Sequence, residues 1–179
     1  MSAHRFIYML AGILLLLSCG SDNNAPIDDP GNTTNHYLQL QPNGLNAIKV
    51  SCTEENFVFP FQIKAVGNGS NQGGEAQINS WSEDELKAYN NKEKTSYVLL
   101  PSSLYSLTST EVSFKEGIST MDVEVKFNPS KVFAEFREKT VEYVIALKLS
   151  SDKIQVRDSQ SRILLSISFD YPTVGLAAS

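Results

Sequence analysis

Two histidines, His4 and His36, and two cysteines, Cys19 and Cys52, are all that 179 residues contain of either type. His4 sits inside an N-terminal apolar segment and His36 at the edge of a polar stretch. Neither is placed to act as base for a serine or cysteine nucleophile, which excludes a catalytic triad. Cys19 has a separate role, set out below, so Cys52 has no partner for an intramolecular disulfide and the fold must rest on its core. Beside Val50, and with only Lys49 nearby to favour a thiolate, Cys52 reads as a small buried hydrophobe. Positive charge is also scarce: 15 Lys and Arg stand against 20 Asp and Glu, a formal net charge of −5. Such a chain has no electrostatic reason to hold nucleic acid, and no nucleic-acid partner is expected. Long hydrophobic runs are missing too. The apolar stretch from Phe6 to Leu17 has twelve residues, against roughly 20 for a helix that spans a bilayer.

That stretch follows a single basic residue, Arg5, and ends in Leu16-Leu17-Ser18-Cys19, the layout of a secretory signal with a short charged head and an apolar core. Leu-Leu-Ser-Cys resembles a lipobox, in which the cysteine thiol is acylated and becomes the new N-terminus. The resemblance implies a signal peptide over residues 1–18, lipidation at Cys19 and a membrane partner through that anchor. Each buried methylene contributes about 0.8 kcal/mol, so two or three acyl chains would hold the protein firmly. The polar segment that follows, residues 20–35, carries Pro26, Pro30 and Gly31 and almost no apolar surface, and is expected to be a flexible tether. As a coil it would reach roughly 20 to 25 Å. Ser21-Asp22 resembles the short acidic signals that direct lipoproteins to the cell exterior in Bacteroidetes, so the expected location is the cell envelope, as a surface-exposed outer-membrane lipoprotein.

Residues 36–179 suit one domain. Met121, Val123, Val125 and Phe127 alternate with polar residues, the period of a half-buried strand. The same period runs through Val141 to Leu149, Ile163 to Phe169, Val112 with Phe114, and Ile48 with Val50. Phe57, Phe59, Phe61 and Ile63 make another stripe, in which Pro60 predicts an edge strand or a bulge. With turn signals at Asn43-Gly44, Asn68-Gly69 and Glu116-Gly117, the pattern predicts an antiparallel, immunoglobulin-like β-sandwich. One helix is expected to interrupt it, from about Glu83 to Asn90. Ser82 and Glu85 make a capping box, and Trp81 and Leu86 stand where a hydrophobic staple joins the residue before the cap to the fourth helical residue.

Leu86-Lys87-Ala88-Tyr89-Asn90, Thr95-Ser96-Tyr97-Val98-Leu99-Leu100-Pro101, Tyr105-Ser106-Leu107, Val112-Ser113-Phe114-Lys115-Glu116-Gly117 and Ser119-Thr120-Met121-Asp122-Val123 together resemble domain of unknown function family 1735, found behind lipoprotein signals in Bacteroidetes. The resemblance covers about Leu45 to Tyr171. It implies an immunoglobulin-like sandwich at the cell surface, of the kind that precedes lectin-like, discoidin-like or glycoside hydrolase domains in glycan-capturing proteins. This chain ends eight residues after Tyr171, so the expectation is the module's own role without the second domain's chemistry.

Candidate ligand-binding residues are aromatic. Trp81 offers an indole face suited to a pyranose, in competition with its staple role, and Tyr37, Tyr105 and Tyr171 are lesser candidates. Carboxylate pairs of the kind glycosidases need could come from Glu54-Glu55, Glu83-Asp84-Glu85 or Asp122 with Glu124, but each suits a turn, a helix start or the wet face of a strand equally well. Asp28-Asp29 lacks the spacing of a calcium loop, so no metal is expected, and no cofactor. The stretch from Gly67 to Gly74 lacks the Lys-Ser/Thr of a phosphate loop and reads as an interstrand loop whose tip could meet a partner. No catalytic residue is assigned. Two readings remain: a non-catalytic accessory that engages a glycan, or a structural spacer that packs against another envelope protein through an open sheet edge.

Overall fold

The computed structural model describes residues 36–68, 73–137 and 141–170. The signal segment, Cys19, the tether, the loop tip at residues 69–72 and Tyr171 lie outside the described residues. In chain order the elements are β1 (Tyr37–Gln41), β2 (Gly44–Ser51), β3 (Phe57–Val66), β4 (Gly74–Ser80), α1 (Glu83–Glu93), β5 (Val98–Leu99), β6 (Tyr105–Leu107), β7 (Glu111–Phe114), β8 (Thr120–Phe127), α2 (Pro129–Phe136), β9 (Tyr143–Ser150), β10 (Gln155–Val156) and β11 (Arg162–Asp170). Short 3₁₀ turns at Ser102–Leu104 and Asp158–Gln160 precede β6 and β11.

Two sheets face one another. One runs β10-β1-β3-β8-β6, the other β2-β11-β9-β4-β7 with β5 also paired to β9. The alternating stripes read from the sequence supply the space between them: Leu38, Leu40, Phe61, Ile63, Val123 and Val125 from the first sheet meet Ile145, Leu147, Ile163 and Leu165 from the second, all nearly sealed from solvent. The sandwich therefore stands, but its sheets are mixed. β2 runs parallel to β11 over eight residues, from Gly44 beside Ile163 to Ser51 beside Asp170. β1 with β10 and β5 with β9 are also parallel. These partners are far apart in sequence, so no tight hairpin dictates their direction.

Pro60 does not mark an edge strand. β3 is interior to its sheet, yet its pairing with β1 ends at Gln62 opposite Gln41, and Pro60 lies beyond that point with only β8 alongside. The missing N–H thus costs the ladder little. At the Glu116-Gly117 turn, Gly117 takes φ +83°, a conformation that side-chain-bearing residues rarely adopt.

The helix α1 begins as the sequence predicts. The Glu85 N–H donates to the Ser82 hydroxyl, and the Ser82 N–H donates to the Glu85 carboxylate. It continues to Glu93 because Asn90 is not the stop. Its amide instead accepts from the Thr95 hydroxyl at 2.8 Å and donates to the Tyr97 carbonyl at 2.8 Å, organising the return loop. A second helix, α2, goes beyond the single one expected. Asn128 caps it through the Lys131 N–H at 2.9 Å, Pro129 occupies its first turn, and Val132 and Phe136 turn inward one helical turn apart. No helix among the described residues is long and apolar enough to cross a membrane.

A second, smaller core lies on the outer face of the second sheet. Trp81, Leu86, Val144, Ala146 and Leu164 are all buried there, with Tyr89, Tyr97 and Leu99 packed against them. Trp81 is 4 % exposed, and its indole N–H donates to the Leu147 carbonyl at 3.1 Å. Trp81 and Leu86 thus form the expected staple, and α1 is the lid of this core. Trp81→Ala should cost about 3 to 5 kcal/mol in urea unfolding. An unchanged unfolding midpoint would show that the indole is not a packing element.

Candidate functional site

α1 covers only part of the outer sheet face, and between it and the turn before β11 lies an open groove of about 360 Å³. The volume is within the range of small-molecule sites. Trp81 and Leu164 lie at its base, Ala88 and Tyr89 form the helix side, and Leu45, Asp158 and Arg162 the opposite side. The wall on α1 follows from helix geometry. Glu85, Ala88, Tyr89 and Lys92 recur at three- and four-residue intervals and share one flank of the helix. Tyr89 meets Trp81 edge-on with ring centres 5.7 Å apart and stacks with Tyr97 at 6.4 Å, so the aromatic wall is braced from behind. Burial raises the Tyr89 phenol above its ordinary value, helped by the Glu93 charge. Burial likewise raises Tyr97, with the charge of Glu142 adding to it.

The charged groups divide into two kinds. Glu85 is fully engaged: one oxygen accepts from Lys148 Nζ at 2.7 Å and the other from the Ser82 N–H at 2.8 Å. The Lys148 hydrogen bond, then the Ser82 N–H, hold its carboxyl below the ordinary carboxylate range. Glu93 is paired with Lys92 at 3.2 Å. Arg162 instead rests over the Trp81 ring, 5.1 Å from its centre, a cation–π contact, and its guanidinium makes no hydrogen bond or ion pair among the described residues. The Asp158 side chain likewise makes no hydrogen bond or ion pair among the described residues.

The three described aromatic candidates do not converge. Trp81 lies at the base of this groove, but its burial and the guanidinium over its ring remove the open face that sugar stacking would need. Tyr105 lines a different groove of about 340 Å³ with Phe57, Asn128 and Lys131, and its hydroxyl is bonded to the Ser80 hydroxyl at 2.7 Å. Tyr37 lines neither groove and is covered on one face by Arg157, 3.7 Å from its ring centre. The carboxylates are dispersed as well. Asp122 accepts from the Gln62 amide at 2.8 Å, Glu124 pairs with Lys126 at 2.8 Å, and Glu83 and Asp84 stand exposed in the first turn of α1. Cys52 is buried, as a small hydrophobe would be. No group of three or more His, Cys, Asp or Glu side chains suited to a metal ion occurs among the described residues. Arg162 and Asp158 escaped the sequence reading. One signal was present, since Arg162 is a charged residue placed directly before the apolar run Ile163-Leu164-Leu165.

The model of a family of N-terminal domains matches residues 29–156, more than half of the chain. The chain belongs to this family. Among solved structures, the N-terminal-domain fold recurs in a candidate carbohydrate-binding protein of Bacteroides ovatus, with a TM-score of 0.61 and 15 % identity over 74 % of this chain and 36 % of that one. It recurs in EndoBT-3987 of Bacteroides thetaiotamicron, solved with a Man5GlcNAc product, with a TM-score of 0.55 and 17 % identity over 74 % of this chain and 31 % of that one. A Bacteroides ovatus protein of unknown function gives a TM-score of 0.54 at 12 % identity, over 76 % of this chain and 45 % of that one. The chain therefore spans less than half the length of each, and at these identities the likeness is one of fold. A search of curated proteins returns no match.

The Glu85 contacts carry a pH signature. Its folded pKa lies below the ordinary value of 4.5, so its contribution is whole above that value and is lost as pH falls from 4.5 through the folded pKa. Acid unfolding followed by tryptophan fluorescence should show a loss of stability in that window, and Glu85→Gln should flatten it. An identical acid profile for the two proteins would mean that these contacts do not form in solution.

Proposed function

We propose that the chain is a non-catalytic, glycan-related accessory module of a surface lipoprotein, with the domain of unknown function family 1735 as its finer assignment. The observation that carries this reading is the groove beside α1, where an aromatic wall stands next to a guanidinium and a carboxylate that have no ion-pair partner among the described residues. A saccharide asks for that combination, because its ring has an apolar face and its hydroxyls both donate and accept. Membership of a family of N-terminal domains, and a fold shared with a candidate carbohydrate-binding protein and with a protein solved holding Man5GlcNAc, support the same theme. Under this reading Cys19 is lipidated, residues 20–35 hold the domain away from the outer membrane, and the module works at the cell surface. Of the carboxylates that could have served acid-base chemistry, Glu85 completes a helix cap, Asp122 accepts from Gln62 on the neighbouring strand and Glu124 pairs with Lys126 along its own strand.

A structural spacer is the second reading, and one observation favours it. β2 is an eight-residue edge strand whose outer side has no ladder partner among the described residues, and Leu45 on it is 48 % exposed. Such an edge can accept a strand from a neighbour.

A glycan array probed with the acyl-free chain separates the two. A reproducible saccharide hit is expected under the first reading; a blank array together with a stable complex with another envelope protein would replace it by the second. In cells, Cys19→Ala should release the protein from membranes into the soluble fraction, and undiminished membrane retention would remove the lipid anchor.

A further inference from the structure

We infer that the groove beside α1 takes a neutral sugar unit presenting two adjacent hydroxyls, held by Arg162 and Asp158. This rests on the glycan reading above and adds the site, the ligand charge and the contacts. The argument begins with charge. Five ionisable side chains other than Tyr89 line the groove: Glu85, Lys92, Glu93, Asp158 and Arg162. Glu93 is neutralised by Lys92 within the groove and Glu85 by Lys148 beside it. The remaining two, Asp158 and Arg162, are opposite in sign and cancel. A net-neutral groove gives no Coulombic gain to a uronate or a sulfated sugar, which would have to give up its hydration to enter.

The second step concerns satisfaction. Arg162 and Asp158 share the groove, yet they form no ion pair with each other and no hydrogen bond with another described side chain. The cation–π contact with Trp81 restrains the guanidinium, so less freedom is lost when a ligand arrives. A planar fork of N–H donors and a carboxylate on the same wall of the groove are complementary to a vicinal diol, whose oxygens accept from arginine while its hydrogens go to aspartate. The aliphatic and aromatic surface that lines the groove with them, Leu45, Ala88 and Tyr89, suits the C–H face of the ring. The second groove offers a different chemistry: the charged side chains lining it, Lys126 and Lys131, are both cationic, and Lys126 is already bound to Glu124.

Isothermal titration of the full acyl-free chain with short neutral gluco-, manno-, galacto- and xylo-oligosaccharides, and with an oligogalacturonate, tests the proposal. At least one neutral oligosaccharide is expected to bind. Arg162→Ala and Asp158→Asn should each weaken it roughly 10- to 100-fold, the worth of a hydrogen bond to a charged group, and Arg162→Lys should fall between, since it keeps the charge and loses the fork. Both side chains are exposed, and thermal unfolding of each variant checks that it is folded. Tighter binding of the oligogalacturonate than of every neutral chain would overturn the assignment. So would neutral binding that all three variants leave unchanged, and in that case the glycan reading survives at another surface. No binding across this panel, when a glycan array gives a hit, also sinks this site alone; a blank array as well sinks both.

Discussion

Val144, Ala146 and Leu164 point away from the space between the sheets, yet each is buried. They make part of the outer face of β9 and β11 apolar as well as the inner one, and an apolar patch of that kind cannot lie at a protein surface without cover. Much of the rest follows from this. The chain must leave β4 at Ser80, lay Trp81 and Leu86 over those residues, and return along β9 at Val98. The capping box sets where the cover begins, and the salt bridge from Lys148 to Glu85 fastens its first turn to the strand beneath. Hydrophobic burial of about 25 cal/mol per Å² makes the lid obligatory, and the capping contacts fix its position.

The groove is a by-product of the same constraint. One short helix cannot cover the whole outer face, and the turn at Asp158–Gln160 rises beside its free flank. What lies between is neither core nor flat surface. Arg162 closes the gap by lying on the exposed side of Trp81, so one contact both shields the indole and presents a guanidinium to solvent.

Much of this architecture was legible in the residues. The period-two stripes Phe57 to Ile63, Met121 to Phe127 and Ile163 to Phe169 are strands whose alternate side chains turn toward the core, because alternation reports a face that must be buried. Ser82 with Glu85 is equally local, since both halves of a capping box lie within four residues. The parallel pairing of β2 with β11 joins positions more than a hundred residues apart, and no local pattern encodes it. α2 did leave a trace, Asn128 followed by Pro129, but eight residues are too few for periodicity to speak clearly. The groove was illegible for a further reason. Tyr89 was visible as one helix face, whereas Asp158 and Arg162 acquire meaning only when a turn and a strand from elsewhere stand against that helix. Trp81 was legible both as staple and as platform, and its burial beneath Arg162 fits the staple.

The departure and return of the chain around α1 are close together. Ser80 is opposite Leu147 and Leu99 opposite Val144, so both ends of the excursion are moored on the same side of β9 within one short stretch of that strand. The sandwich therefore sees two fixed attachment points and is indifferent to the route between them. A longer or differently shaped segment could be exchanged there like a cassette, provided that it still roofs Val144, Ala146 and Leu164. Since this roof is also one wall of the groove, such an exchange would reshape the groove and leave the scaffold untouched.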